Sequence, residues 1–184
     1  MVRQNKASVA QLNSVMNKMS GLLQDHQFIL DLNTNKKTVG GSASFISRVT
    51  VTDTANIKSQ FNQICDLGYQ VICIWASWNE QSRNARKQIY ALQDSFPEKQ
   101  IMQSAISIDT NFDRWKESVD ADSLNWTEYC DQTGWNSKIV TTPGINKLPA
   151  YLLLTGQEHI TAVCYSIDDL KYTIKDRVPD KDDD

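Results

Sequence analysis

The sequence is poor in residues that hold metals, and its cysteines are not arranged in pairs. It has two histidines and four cysteines in 184 residues, and no two cysteines have the Cys-x-x-Cys spacing. The histidines lie far from each other and from any cysteine pair, which excludes the usual ligand spacing of a zinc site. We therefore predict no metal site and no cofactor, and free thiols rather than a disulfide framework.

The sequence also lacks an excess of basic residues and a long apolar run. Nineteen Lys and Arg stand against 22 Asp and Glu, which gives a net charge of −3, and the basic residues are scattered. This pattern disfavours nucleic acid and anionic membranes as partners. No stretch approaches the roughly 18 apolar residues of a membrane span, and the first residues lead into no apolar signal core, so we expect a soluble chain. The length fits one domain with an extension.

The first 44 residues are predicted to form an N-terminal extension. Apolar residues recur every three or four positions over residues 8–24, after a possible capping box at Ser8 and Gln11, which predicts an amphipathic helix. A short strand and a loop follow. The apolar face of the helix repeats over about two heptads, so packing on the domain is favoured over a dimer zipper. Residues 179–184 are mostly charged and are predicted to form a disordered acidic tail.

Residues 45–178 are predicted to form an α/β domain. The run Tyr69 to Trp75 is apolar on both faces of the predicted strand. This pattern is typical of a central strand in a mixed sheet that helices cover on both sides. The pattern predicts, in order, a strand at 45–52, a helix at 55–67, the strand at 69–75, a helix at 80–95, a strand at 101–108, a helix at 112–119, an extended segment at 126–131, helical turns at 135–140, strands at 151–154 and 160–165, and a last helix after Ser166.

The corner between the central strand and the next helix carries the most specific pattern. It reads Trp75-Ala76-Ser77-Trp78-Asn79-Glu80-Gln81-Ser82-Arg83. Asn79 stands where a helix N-cap is expected, because its side-chain oxygen can accept a bond from a free helix N–H. Ser82 would be a nucleophile only beside a base, and Glu80 on a solvated helix end is a weak one. We therefore predict no catalytic residue here and an ordinary helix position for Ser82.

The corner resembles the thioredoxin-like superfamily, in particular the TlpA/ResA-like, AhpC/TSA-related branch of thiol-disulfide oxidoreductases. That branch carries Trp-Ala-Ser-Trp-Cys-x-Pro-Cys-Arg at this corner. The resemblance covers about residues 45–178 and rests also on further landmarks, which are Ile106-Ser107-Ile108-Asp109, Trp115-Lys116, Gly134-Trp135-Asn136-Ser137 and Gly144-Ile145-Asn146-Lys147-Leu148-Pro149. It implies a thioredoxin-like fold with a cis peptide bond before Pro149.

The resemblance also shows what the chain departs from. Asn79 and Ser82 stand at the two positions where the family has cysteine, and Cys73 stands where many relatives place a buried acid. A side chain of Asn cannot ionise or attack a disulfide. The departures therefore imply that dithiol exchange is lost.

The four cysteines offer no obvious replacement for the missing pair. Cys73 lies in an apolar strand and is predicted to be a core residue. In the implied fold the cis-proline strand separates Cys73 from Cys164 by two strand spacings, roughly 9–10 Å, which is beyond disulfide reach. Cys65 near a helix end has no evident partner. Cys130 is expected to be partly exposed and the most reactive thiol.

The resemblance implies a function in binding an extended peptide or a partner protein. In the family, the substrate lies between the corner and the cis-proline loop and pairs its main chain with the residue before the proline, here Leu148. Trp78, Trp135 and Leu148 would form an apolar platform beside Asn79, Glu80 and Pro149. The alternative for Trp135 is burial in the core, as expected for Trp75.

Two other functions remain open at this stage. The chain could be a thiol oxidoreductase that uses a non-motif cysteine, most plausibly Cys130, or a scaffold that assembles through the N-terminal helix. The family resemblance implies a place outside the cytoplasm, in the periplasm or cell envelope, with any membrane tether in a segment not present in this chain. The sequence leaves the oligomeric state open.

Overall fold

The computed structural model describes residues 46–61, 68–97, 99, 101–155 and 159–180. The predicted helix at 8–24, the strand and loop after it, and Cys65 lie outside these residues. So does most of the predicted tail, although Asp180 is described and forms an ion pair with Lys99 at 2.7 Å.

The described residues contain one seven-stranded mixed sheet. Its order is β2-β1-β5-β4-β3-β6-β7. The strand β3 is central, since it pairs parallel with β4 and antiparallel with β6. This arrangement confirms the predicted mixed sheet. The strands are Thr50–Thr52 (β1), Lys58–Gln60 (β2), Tyr69–Trp75 (β3), Ile101–Ser107 (β4), Glu128–Cys130 (β5), Ala150–Thr155 (β6) and His159–Cys164 (β7).

The four α-helices of the described residues begin with side-chain caps that the sequence supplies. Their caps are Asn79, Asn111, Ser137 and Ser166, each accepting a bond from a main-chain N–H of the first turn. The helices are Glu80–Tyr90 (α1), Phe112–Asp122 (α2), Lys138–Thr141 (α3) and Ile167–Arg177 (α4), and the 3-10 segments are Ile46–Arg48, Gln93–Ser95 and Gly134–Asn136.

Helix α1 is shorter than the predicted 80–95. It ends at Tyr90, and the chain then tightens into 3-10 turns in which the N–H of Leu92 bonds to the carbonyl of Ile89 at 2.8 Å. The tighter turn still buries Leu92. The apolar spacing therefore predicted the burial correctly and the helix length wrongly, since both helix types present nearly the same face over one turn.

The side chains of β3 divide the core into two clusters. Ile72 and Ile74 lie in one cluster with the short helix α3, and Val71, Cys73 and Trp75 lie in the other with α1, α2 and α4. All five side chains are 0% exposed. Helices thus cover both faces of the sheet, as the continuous apolar run of β3 predicted.

The predicted helix at 55–67 is wrong over its described part. Residues 58–60 form β2, which makes a hairpin with β1. The turn is stabilised by Asp53, whose Oδ1 accepts from the N–H groups of Ala55 and Ile57, both at 2.9 Å, and Asn56 adopts a left-handed φ of 63°. Local turn chemistry of Asp and Asn thus outweighs the helical spacing of the apolar residues, and it leaves Ile57 exposed. The predicted strand at 45–52 likewise begins only at Thr50, after a 3-10 turn.

Candidate functional site

The candidate site lies where β3 ends and α1 begins. Asn79 caps α1, since its Oδ1 accepts from the N–H of Ser82 at 2.7 Å. Cap formation was predicted from the residue type and is confirmed. The neighbouring strand β6 begins at Ala150, which pairs with Ile74 near the end of β3. The corner and the segment before β6 therefore occupy the same end of the sheet.

Ser82 has a structural role. It is 0% exposed, its Oγ accepts from the N–H of Ala76 at 3.2 Å, and its hydroxyl lies within 2.9 Å of the carbonyl of Asn79 and 3.2 Å of that of Ala76. All of these partners are main-chain atoms, so no side chain in the described part of the chain is placed to take the hydroxyl proton. Ser82 ties the end of β3 to the first turn of α1, as an ordinary helix residue would.

Asp109 fixes the loop between Ala76 and Asn79. Its two carboxylate oxygens accept from the main-chain N–H of Ser77 at 2.7 Å and from the hydroxyl of Ser77 at 2.6 Å. The hydroxyl of Ser107 at the end of β4 donates to the same carboxylate. The Asp109 side chain is almost fully buried, so these bonds form away from water. They hold the loop, and with it Trp78, against the neighbouring strand.

Two tryptophans form the exposed part of the site. Trp78 is 57% exposed and Trp135 is 38% exposed, and their ring centroids lie 6.4 Å apart. The alternative that Trp135 is a core residue is therefore wrong, whereas Trp75 is fully buried as expected. Glu80 is exposed at the start of α1. Two exposed indoles in contact form a surface of the kind that is enriched at binding sites.

Leu148 does not join this surface with its side chain. It is 7% exposed and packs in the core cluster with Ile145 and Ala150, and Pro149 is buried too. The expected platform is thus corrected to the two tryptophans. The Leu148–Pro149 peptide bond is cis. Among the hydrogen bonds of the described residues, none uses the main-chain N–H or carbonyl of Leu148.

A buried ionic cluster lies under α1, and sequence reasoning missed it. Arg86 is 0% exposed, and its guanidinium lies 3.8 Å from the centroid of the Trp75 ring. It donates to Glu128 at 2.9 Å and also to Asp122. The helical spacing could have revealed it, because position 86 shares the buried face of α1 with Ser82, Ala85 and Ile89.

The two acids of this cluster titrate differently. Burial raises the pKa of Glu128 to about 7, although Arg86 and the indole N–H of Trp126 act in the opposite direction. Burial also acts to raise the pKa of Asp122. Its ion pairs with Lys87, Arg83 and Arg86 outweigh this effect and hold the pKa of this carboxyl below its usual value.

The three described cysteines are all buried, and Cys73 and Cys130 are free thiols. Cys130 is 0% exposed, which corrects the expectation of a partly exposed thiol. It points inward from β5, its S–H lies 3.3 Å from the carbonyl of Asp109, and burial raises its pKa to about 12. Burial raises the pKa of Cys73 as well. Cys73 and Cys164 lie on strands that flank β6, each beside Tyr151, as the sequence predicted.

The thiols of Cys73 and Cys130 are expected to be unreactive in the native protein. Buried protonated thiols react slowly, because the thiolate is the nucleophile. Labelling with iodoacetamide at pH 7.5, followed by peptide mapping, should leave Cys73 and Cys130 unmodified for as long as the protein stays folded. The same reagent in denaturant should label both. Rapid native labelling of Cys130 would show that it is accessible after all.

Within the described residues, no group of three or more His, Cys, Asp or Glu side chains is arranged to hold a metal ion. None of the helices in the described part of the chain is both long enough and apolar enough to cross a membrane.

Comparison with known proteins relates the chain to solved structures. No family model and no curated protein sequence matches it. A thiol-disulfide oxidoreductase from Bacteroides fragilis is similar, with 22% identity and a TM-score of 0.59 over 69% of this chain and 94% of that chain. The thioredoxin domain of a thiol-disulfide oxidoreductase from Bacteroides vulgatus gives 18% identity and a TM-score of 0.61 over 76% and 99%.

A secreted disulfide oxidoreductase from Mycobacterium tuberculosis is more distant in sequence, at 13% identity, with a TM-score of 0.54 over 73% of this chain and 99% of that chain. The chain therefore has the thioredoxin-like α/β fold, and its structural neighbours are thiol-disulfide oxidoreductases.

Proposed function

We propose that the protein is a redox-inactive peptide-binding module. In place of a dithiol it has Asn79 and Ser82, whose side chains stabilise the corner between β3 and α1. The observation that carries the proposal is the exposed pair Trp78 and Trp135 beside a corner that holds no thiol. Exposed indoles bury much apolar area when a partner binds and lose little conformational freedom.

The corner residues are already committed to structural bonds. Asn79 caps α1 with its side chain, and the hydroxyl of Ser82 bonds only to main-chain atoms. The nearest described cysteine along the chain, Cys73, is buried in β3. This supports a binding role over the alternative of an oxidoreductase acting through a non-motif cysteine, because Cys130 is buried as well.

Besides the two tryptophans, the main chain of Leu148 provides a second contact for the peptide. Its N–H and carbonyl form no hydrogen bond with the described residues, and Pro149 has no N–H to compete for a partner. An extended peptide could pair with Leu148 as an added strand while its side chains contact Trp78 and Trp135. Glu80 and Asn79 would flank the peptide at the start of α1.

We further propose that the protein acts outside the cytoplasm. This rests on the likeness to disulfide oxidoreductases, one of which is described as secreted. The partner is accordingly expected to be an exported protein in an extended state.

Substitution of Trp78 by alanine tests the binding mode. The probe is a reduced, carboxymethylated and therefore permanently unfolded protein, whose binding is measured by fluorescence anisotropy. We expect Trp78→Ala to weaken binding about tenfold or more, since aromatic anchors dominate such surfaces, and Trp135→Ala to act in the same direction. Tyr172→Ala, an equally aromatic but separate exposed position on α4, is the matched control and should bind as the wild type does.

The carboxymethylated probe carries no thiol or disulfide, so its binding reports the surface alone. Unchanged affinity of the Trp78→Ala and Trp135→Ala variants would refute the proposed surface. Binding of the same protein with its disulfides intact, but not of the carboxymethylated form, would favour the oxidoreductase alternative.

A further inference from the structure

The two carboxylates of the buried ionic cluster differ in how many partners they have. Asp122 forms ion pairs with Arg83 at 3.0 Å and Lys87 at 2.9 Å in addition to Arg86. Among the described residues, Glu128 accepts hydrogen bonds only from Arg86 and the indole N–H of Trp126, both at its Oε1. Its Oε2 is buried and has no hydrogen-bond partner. An ionised carboxylate with one free buried oxygen is costly, so Glu128 is the weak point of the cluster.

The segment next to Glu128 borders a cavity. A cavity of about 550 Å³ lies between the end of α2, the segment from Ser123 to Tyr129 and the turn between β1 and β2. Trp126 and Glu128 both line this cavity, but Glu128 is only 3% exposed. Trp126 is half-buried, donates its indole N–H to Glu128 and packs edge-to-face on Tyr90 of α1 with centroids 6.0 Å apart. Movement of Trp126 away from Glu128 would give water from the cavity more access to the carboxylate.

The backbone allows that movement. Ser123 ends α2 in a left-handed conformation, and the carbonyl of Thr127 is bonded to the N–H of Ala105 in β4 at 3.2 Å. The residues between these two points, Leu124 to Trp126, make no main-chain hydrogen bond with other described residues. The segment Leu124–Trp126 is thus fixed at both ends, and the side chain of its last residue, Trp126, packs on α1.

We propose that Glu128 is a proton-dependent latch for the segment Leu124–Trp126. Neutral Glu128 favours the closed segment, with Trp126 packed on α1. Ionised Glu128 favours an open segment, because water from the cavity then hydrates the carboxylate. The latch is a property separate from the proposed peptide surface.

A comparison of the titratable and charged groups around Glu128 identifies it as the group whose protonation changes near neutral pH. Arg86 faces it from α1 and is a permanent cation. Asp122 faces it from α2 with a lowered pKa, and Cys73 faces it from β3 with a raised pKa. Near neutral pH the first is therefore ionised and the second is a neutral thiol. Only Glu128, whose pKa burial raises to about 7, titrates in this range.

The direction of the pH effect follows from linkage. A hydrated Glu titrates near 4.5 and the closed state near 7, so the closed state retains a proton that the open state has lost between these values. The open fraction therefore rises with pH over this interval, by up to about tenfold per pH unit, and levels off above it. Lowering the pH closes the segment.

The exchange rate of the Trp126 indole N–H tests the latch, since this group donates to Glu128. NMR resolves it from the exposed Trp78 indole, which serves as the reference for intrinsic exchange. The ratio of the Trp126 rate to the Trp78 rate should rise at least about tenfold from pH 5 to pH 7 and then level. In Glu128→Gln, which mimics the neutral acid, the ratio should be independent of pH. Asp120→Asn, an exposed acid on the same cavity, should behave as the wild type does.

A wild-type ratio that does not change with pH, or a pH dependence retained in Glu128→Gln, would overturn the latch. Should Glu128→Gln fail to fold, the carboxyl carbon shift of Glu128 in the wild type decides. Titration near neutral pH supports the latch, and titration near 4.5 overturns it. Neither measurement involves a peptide, so the latch can fail while the peptide surface stands.

Discussion

Replacement of both Asn79 and Ser82 by cysteine is expected to give the protein disulfide reductase activity. The two positions lie in the first turn of a helix whose N-terminal N–H groups and dipole stabilise a thiolate. The exposed Trp78 and the segment that leads into β6 lie at the same end of the sheet as these positions. We expect the double variant to form an internal disulfide and to reduce insulin with dithiothreitol at about ten times the uncatalysed rate or faster.

The single variants are the controls for this result. Asn79→Cys offers an attacking thiol without a resolving one, and Ser82→Cys places a thiol that is fully buried. Neither should form the internal disulfide, which a mass loss of two hydrogens would reveal in the double variant. A folded double variant with no disulfide would mean that the corner geometry differs from that of the redox-active structural neighbours.

Removal of Arg86 is expected to cost the most stability of any change in the cluster. Arg86→Ala would leave the carboxylates of Asp122 and Glu128 without their shared buried cation and would remove the guanidinium from the Trp75 ring. Breaking a buried pair by removing one partner typically costs about 3–5 kcal/mol. Urea unfolding at pH 8, where Glu128 is ionised, measures the loss.

Arg83→Ala is the matched control for Arg86→Ala. It pairs with the same Asp122, but its side chain is 32% exposed, so its loss should cost less than about 1 kcal/mol. The cost of Arg86→Ala should fall at pH 5, because Glu128 is then neutral and needs no cation. Equal costs for the two variants at pH 8 would contradict the account of the cluster.

The parts of the fold that were predictable are those in which local and distant interactions agree. The run from Tyr69 to Trp75 is apolar on both faces, and a strand with that pattern is stable only in the centre of a covered sheet. Asn79 and Ser166 cap helices because of their residue types alone. The hairpin after Asp53 was missed, because helical spacing at Ile57 and Phe61 conflicted with a turn whose strength depends on side-chain bonds to the main chain.

The candidate site was predictable in its residues but less so in their orientations. Trp78 was placed correctly, because it lies in the loop between β3 and α1, and loops run over the protein surface. Leu148 and Cys130 were misplaced, since burial of one side chain beside a loop or on a three-residue strand depends on neighbours far away in sequence. Arg86 was overlooked because a charged residue is rarely buried unless it is paired. Its partner Glu128 is far away in the sequence.

We expect an extended peptide to bind across Trp78, Trp135 and the main chain of Leu148. An NMR titration of the wild-type protein with a short peptide derived from the carboxymethylated probe tests this binding mode. We expect the largest shift changes at the indoles of Trp78 and Trp135 and at the amides of Leu148 and Ala150. Saturable binding whose shifts centre on another part of the protein, such as the cavity beside Trp126, would contradict this binding mode.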